Sequence, residues 1–481
     1  MMAREIKPTN QSGDSYPPSS ATAQSVDRFV SPGILLFADQ LLTAVGSWIY
    51  WLIISRFVLT SEIGHATTIY SLVLLINTAA QIGLEYPLLK KSIVRRQQIF
   101  GTVALIELAI TAASIPVILY ASGGLYQESS EFTWIAIGIL VFSSLGFVSR
   151  FALLGLSKSR TILVLDLAGT VLKFGSAFVL VSAGYGAFGI LVSFLIQAVV
   201  ITCGTAIAAG RSLGLGVGDL SFFKEVLKDG LANLPSKLSG ILVISLCVVL
   251  LASFGVESSQ VGIFYMAMMV SIVVGSFASS LAFMSIPASS ALNRDLSFGS
   301  LRIGLAFTAP IIAGLIAAPA FVLSIVGPEY VQAAELLVIL AAGVLPSVIL
   351  SNAMSKFNNQ NKPRQLLAIG SLRVGAFIAA FSVLVPQFGT LGAAYAILIS
   401  FTSSAMLSIV WSEKESLRFV GIAILSIIAG VLAGQLMIIL TQAHPAAAIG
   451  ASIGVSLLIM FAFKCTSTKE IGAIIGAMRK V

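Results

Sequence analysis

The chain has 481 residues, of which 57% are hydrophobic and only 10% charged, with a mean hydropathy of +1.00. Soluble domains carry roughly 25% charged residues, so a water-soluble fold is excluded. A net charge of +8 does not by itself imply nucleic acid, because a polytopic membrane protein collects Lys and Arg in its cytoplasmic loops.

Residues 1–31 are polar and rich in Ser and Pro. They lack the apolar core and small-residue cleavage site of a signal peptide and read as a disordered cytoplasmic tail. Apolar runs then predict seven spans near 33–54, 63–84, 100–121, 132–154, 162–183, 187–209 and 231–253. Seven more fall near 261–286, 303–326, 332–354, 366–386, 390–411, 419–441 and 447–464. About fourteen transmembrane helices of roughly 20 residues leave only short loops, so function must reside in the membrane or at its faces. The three cysteines, Cys203, Cys247 and Cys465, lie in or beside apolar segments without metal-ligand spacing and read as free thiols.

Basic residues set the orientation. Of 28 Lys and Arg, Arg56 falls in an external loop and Lys173, Lys237 and Arg373 lie within spans; the other 24 share one face, read as cytoplasmic. Both termini are then cytoplasmic. Within loop 210–230, Leu220, Phe222, Phe223, Val226 and Leu227 alternate with Lys224, Glu225, Lys228 and Asp229. That pattern predicts an amphipathic segment along the membrane surface. Residues 465–481, with Ile471, Ile474, Ile475 and Met478 beside Lys469, Arg479 and Lys480, read the same way.

The chain repeats itself. Ile63-Gly64 matches Val261-Gly262 at an offset of 198, Leu172-Lys173-Phe174-Gly175 matches Leu372-Arg373-Val374-Gly375 at 200, and Gly186-Ala187-Phe188-Gly189 matches Gly389-Thr390-Leu391-Gly392 at 203. Six spans per repeat is an even number, so the halves are parallel and related by an axis along the membrane normal. The predicted fold is all-α and polytopic: an N-lobe over 32–209, a linker over 210–230, a C-lobe over 231–411 and two additional helices over 412–464. Those two helices contain Gly430-x-x-x-Gly434 and Gly450-x-x-x-Gly454, which permit close helix packing.

Several segments resemble a known family. They are Ser55-Arg56-Phe57, then Ser61-Glu62-Ile63-Gly64 leading to Tyr70, Gly83-Leu84-Glu85 before a basic loop, Gly327-Pro328-Glu329-Tyr330, and Gly389 to Tyr395. Over residues 33–464 the chain is similar to the polysaccharide or O-antigen flippases of the multidrug, oligosaccharidyl-lipid and polysaccharide exporter superfamily. The resemblance implies a transporter and not an enzyme. Its cargo would be a lipid-pyrophosphate-linked oligosaccharide, carried from the cytoplasmic to the outer leaflet of a bacterial inner membrane. It implies membrane lipids and polysaccharide polymerase or chain-length machinery as partners, no nucleic acid and no cofactor beyond a coupling H+ or Na+. A lipid-linked peptidoglycan precursor flippase and a cation-coupled multidrug exporter share the superfamily and stay open as alternatives.

Ionisable groups inside spans cost about 2.5 to 3.5 kcal/mol each on insertion scales and mark candidate sites. Lys173 is placed about 16 Å into span five and Arg373, its repeat counterpart, about 10 Å into span eleven. Two cations facing one cavity from opposite lobes suit a pyrophosphate, with Lys237 as a third head-group candidate. Each could instead pair with a carboxylate to hold helices together. Asp39 and Lys237 occupy equivalent positions with opposite charge and could pair across the lobes, either as an inner gate or as a fixed interlobe bridge. Asp166, two turns before Lys173, and Glu107 in span three are the remaining gate or coupling candidates. No catalytic or metal-ligating set is apparent, and His65 and His444 are solitary residues near external span ends.

Overall fold

The computed structural model describes residues 38–81, 83–84, 88, 93–125, 130–156, 158–214, 220–228, 231, 240–292, 296–360, 362–411, 414–442 and 444–465. The described residues are helical throughout, without strands. The first six helices are α1 (Ala38–Ile54), α2 (Thr60–Ala80), α3 (Ile93–Leu125), α4 (Ser130–Gly155), α5 (Ser159–Ser182) and α6 (Gly186–Leu213). The next four are α7 (Gly240–Ser253), α8 (Ser258–Leu292), α9 (Ser297–Ala317) and α10 (Ala334–Asn359). One continuous helical run, Pro363–Val410, is divided by non-helical backbone at Gly389 (φ 56°, ψ −129°) into α11 (363–388) and α12 (390–410). α13 (Lys414–Thr441) and α14 (Pro445–Ala462) complete the set. The protein is a multi-pass membrane protein, and among the described residues these fourteen long helices follow the order and ends of the predicted spans closely.

Proline and glycine set the interruptions. α9 stops at Ala317, because Ala318 precedes Pro319 and adopts φ −143°, ψ 63°; proline disfavours helical backbone in the residue before it. A short helical segment, Pro319–Val326, then resumes. The freed Ala317 carbonyl accepts from Gln435 Nε2 on α13 at 2.8 Å, which satisfies it in a medium with no water to do so.

The repeat is visible as geometry. α2 and α8 cross at their first turns, where Gly64 and Gly262 sit face to face. A Cβ on Gly64 would lie 1.7 Å from the Ser258 carbonyl oxygen, and one on Gly262 would lie 2.1 Å from that of Thr60. Each helix offers the other the same patch, which is the signature of a two-fold axis. The hairpins α5–α6 and α11–α12 also correspond: Gly186 (φ 39°) and Gly389 (φ 56°) turn the chain, and Gly189 and Gly392 pack on the backbone of Leu180 and Leu384.

The main apolar core runs through both lobes, with Ile63, Ile69, Val261, Phe264 and Met268 buried along the α2–α8 seam. A second cluster lies at the basic face of the N-lobe. There Val226 is buried with Leu84, Ile99, Val103 and Phe147, and Phe222 packs beside them. Linker residues 220–228 therefore clasp the ends of the N-lobe helices instead of lying only on the membrane surface as expected. The tails 1–31 and 466–481 lie outside the described residues.

α13 and α14 pack against α9. A Cβ on Gly430 would come 2.7 Å from the Ser452 carbonyl oxygen, and one on Gly434 would come 2.9 Å from that of Ala448. Gly450 and Gly454 have nothing within 4 Å. Only the first of the two expected small-residue motifs makes a helix contact; the second faces away from the described helices.

Candidate functional site

The lobes meet at the face poor in basic residues. Above the Gly64–Gly262 crossing, Ser55 Oγ and Arg56 Nη2 of the α1 end donate to the Val326 and Ile325 carbonyls at 3.4 and 2.7 Å. These carbonyls terminate the Pro319–Val326 helix, where a cation is favoured, which accounts for the single basic residue outside the spans on this face. Trp51 of α1 meets Tyr265 of α8 edge-on at 5.2 Å, and Tyr70 of α2 stacks on Phe194 of α6 at 4.0 Å. Tyr50, Trp51, Tyr70, Phe194 and Tyr265 thus form an aromatic layer that spans the seam.

Lys173 lies within this layer. Its Nζ is 4.7 Å from the centre of the Tyr50 ring and 5.0 Å from that of Phe194. Tyr50 is fixed by a 2.9 Å hydrogen bond between its hydroxyl and that of Ser193. The side chain is only 3% exposed, and no ion pair to it is found among the described residues. Ring quadrupoles supply the negative charge that a carboxylate would otherwise provide. α5 begins at Ser159, three residues before the predicted boundary, so Lys173 is about 21 Å along the helix from its basic-face end and closer to the opposite face than expected.

Arg373 occupies the equivalent place on α11 and is likewise 3% exposed. Its Cζ stands 5.4 Å from the centre of the Phe401 ring of α12, and Nη2 is 3.8 Å from the Met354 sulfur of α10. Its Nε has no hydrogen-bond partner among the described residues. Ser400 Oγ donates to the Arg373 carbonyl at 2.7 Å, which holds α12 against α11. Each cation is therefore enclosed by helices of its own lobe and compensated by polarizable groups. Burying a charge without a counter-ion costs several kcal/mol.

The carboxylates gather elsewhere. Arg150, near the end of α4, bonds Asp39 of α1 at 2.6 Å and also pairs with Asp166 of α5. The side chains are 4% (Asp39), 30% (Arg150) and 8% (Asp166) exposed. Asp39 thus has an arginine partner within the N-lobe, while the other member of the expected Asp39–Lys237 pair falls on a residue outside the described ones. The arginine stem reaches inward from a span end and delivers a fork that can serve two carboxylates. Lys237 lies outside the described residues. Among the described residues the cluster places two carboxyl groups on one guanidinium.

Glu107 is fully buried on α3, one turn from the buried Thr111. His444 has a local task, accepting from the Ala446 amide through Nδ1 at 3.2 Å and so capping α14. No grouping of three metal-ligating side chains occurs among the described residues, and Cys203, Cys247 and Cys465 are free thiols. Sequence reasoning missed Arg150 because it was counted with the basic loop residues. Its position seven residues before Ser157-Lys158, inside the apolar run, was the available signal.

No protein-family model matches the chain, and no curated protein matches its sequence. Solved structures do. A lipid II flippase, MurJ, in an inward closed conformation superposes with a TM-score of 0.61 at 15% identity, covering 93% of this chain and 98% of that one. The chain shares the fold of that flippase. The MATE multidrug transporter DinF-BH matches at TM-score 0.56 and 18% identity, over 84% of this chain and 98% of its own. An inward-facing multidrug resistance MATE family transporter of the MOP superfamily matches at 0.52 and 17%, over 82% and 95%. These neighbours are transporters and flippases.

Proposed function

We propose that this protein is a flippase that carries a lipid-pyrophosphate-linked oligosaccharide across a bacterial inner membrane, with both termini cytoplasmic. The observation that carries the reading is the pair of buried cations, Lys173 and Arg373, on repeat-equivalent helices without a carboxylate partner among the described residues. A cation kept at that cost suits a site that an anion visits, and a pyrophosphate supplies several acceptors for charge-assisted bonds. The Gly64–Gly262 seam and the aromatic layer close the low-charge face, so the mechanism starts from a state closed to the outside. Rocking of α1–α6 against α7–α12 would part the aromatic layer and uncover Lys173 toward the outer leaflet, with the lipid tail remaining in the bilayer. The Asp39–Arg150–Asp166 cluster, with two carboxyl groups on one guanidinium, is the place where a coupling H+ or Na+ can be taken up. Glu107 and Lys237 remain candidates for coupling and head-group contact. The cargo implies a polymerase and chain-length machinery downstream.

A lipid-linked peptidoglycan precursor flippase is the second reading. It is favoured by the match to the lipid II flippase, which extends over 93% of this chain, against 82 to 84% for the two MATE transporters. A multidrug exporter of cationic compounds fits less well with two buried cations.

The test is leaflet exchange in proteoliposomes, with labelled lipid-linked oligosaccharide and labelled lipid-linked peptidoglycan precursor offered separately. The native chain should exchange the oligosaccharide, and Lys173→Ala and Arg373→Ala should each slow it about tenfold or more, the value of one charge-assisted hydrogen bond. Unimpaired exchange in both variants would reject the cation site; exchange of the precursor alone would favour the second reading.

A further inference from the structure

α13 and α14 lie outside the repeat, and the transport reading assigns them nothing. Both meet the chain at the head of the short helix Pro319–Val326, which is cut from α9 at Ala318. At the cut, Gln435 Nε2 of α13 donates to the Ala317 carbonyl at 2.8 Å. One turn further on, the Phe321 ring meets that of His444 edge-on at 5.3 Å, and His444 caps α14. The tail of the same helix touches the N-lobe. The Gly327 amide donates to the Leu323 carbonyl, and the last two carbonyls, of Ile325 and Val326, accept from Arg56 and Ser55 at 2.7 and 3.4 Å.

The repeat shows that this bridge is an addition to the two-lobed plan. The counterparts of Ser55 and Arg56 in the second half are Ser253 and Phe254. Ser253 Oγ donates to the Val249 carbonyl of its own helix at 2.8 Å, and Phe254 packs edge-on against Phe381 of its own lobe at 5.5 Å. On the N-lobe side α3, the counterpart of α9 and the short helix together, runs unbroken through Pro116 to Leu125. Among the described residues the crossing contact therefore forms only beyond α9, the helix against which α13 and α14 pack. Eight helical residues span about 12 Å, so a rigid segment carries a displacement of its head to its tail. The proline cut frees that segment from the backbone bonds that would fix its angle to α9.

We infer that Pro319–Val326 is a strap through which α13 and α14 hold the low-charge face shut. Gln435 and His444 set its head and Arg56 holds its tail, so the lobes part there only when Arg56 leaves the Ile325 carbonyl. The strap has two arrangements, latched and free. Both the accessory helices and the lobes bias the choice between them, which is the condition for energetic coupling between separated sites. A shift of α13 and α14 relative to α9 is thereby felt at the aromatic layer. The inference rests on the reading of this face as a closure that transport opens.

The test follows labelling of a cysteine at Ser193 by a membrane-impermeant maleimide, with the full chain in proteoliposomes and Cys203→Ser throughout. Arg56→Ala releases the tail and should speed labelling about tenfold, the value of a hydrogen bond from a charged donor. Gln435→Leu combined with Phe321→Ala releases the head and should speed it about fivefold, the value of a neutral hydrogen bond; Gln435→Leu alone serves if the pair does not fold. Because the two cuts lie in series on one strap, all three substitutions together should label no faster than Arg56→Ala. Native rates in both the head and the tail variants, or a combined acceleration equal to the product of the two, would overturn the strap. Gly262→Leu forces the seam directly and reports on the closure separately. If it speeds labelling and the strap variants do not, the strap fails and the closure stands; if none of them does, both fail.

Discussion

Replacing Gly262 with Leu should open the low-charge face. A Cβ there would stand 2.1 Å from the Thr60 carbonyl oxygen and 2.8 Å from the Gly64 amide nitrogen, where ordinary contacts begin near 3.4 Å. Both obstacles are backbone, so no side-chain rotation relieves them and the helices must part by more than 1 Å. Overpacking of this kind costs about 1–3 kcal/mol, enough to shift an equilibrium between closed and open seams by roughly 5- to 150-fold. The readout is labelling of a cysteine at Ser193, which is buried under the aromatic layer, by a membrane-impermeant maleimide in a Cys203→Ser background. Gly262→Leu and its counterpart Gly64→Leu should each speed labelling. Gly421→Leu, at a glycine with nothing within 4 Å, should not. Unchanged labelling in both seam variants would refute the seam as the closure that the lobes must break.

Gly186→Ala should lower the melting temperature by several degrees, because Gly186 has φ 39° and its Cβ would fall 2.1 Å from Glu62 Oε1; adding Glu62→Ala should recover the part due to the clash. Arg150→Gln removes the guanidinium shared by Asp39 and Asp166 and should cost about 2 kcal/mol or more in denaturant unfolding, discounted from the fully buried case by the partial exposure of Arg150. The further change Asp39→Asn should restore much of that loss. Gly434→Leu should weaken the attachment of α13 and α14, seen as faster proteolysis of the α12–α13 connection. Gly454→Leu should be neutral, since the first glycine touches the Ala448 backbone and the second faces open space.

Much of the fold was legible because lipid imposes a simple rule. With no water to satisfy backbone groups, each crossing must be a helix of about 20 apolar residues, so hydropathy alone places α1 to α14. The repeat was legible for a related reason: glycines at 64, 262 and 186 mark positions where a side chain does not fit, those at 186 and 389 mark positive φ, and such positions recur when a fold is duplicated. The clasp of Val226 on the N-lobe was not legible, since an amphipathic segment looks the same whether its apolar face meets lipid or protein.

Ion partners were the hardest to read. Sequence symmetry set Asp39 opposite Lys237 but gave no sign that a long arginine stem brings Arg150 to Asp39 and Asp166. Helical periodicity fixes which face a residue occupies but not which neighbouring helix lies within hydrogen-bonding reach of it. The sequence by itself determined that this is a two-lobed membrane protein with cations held inside its spans. Tertiary structure decided that Lys173 rests on Tyr50 and Phe194 and Arg373 on Phe401, because only packed helices bring rings from α1, α6 and α12 over charges carried by α5 and α11.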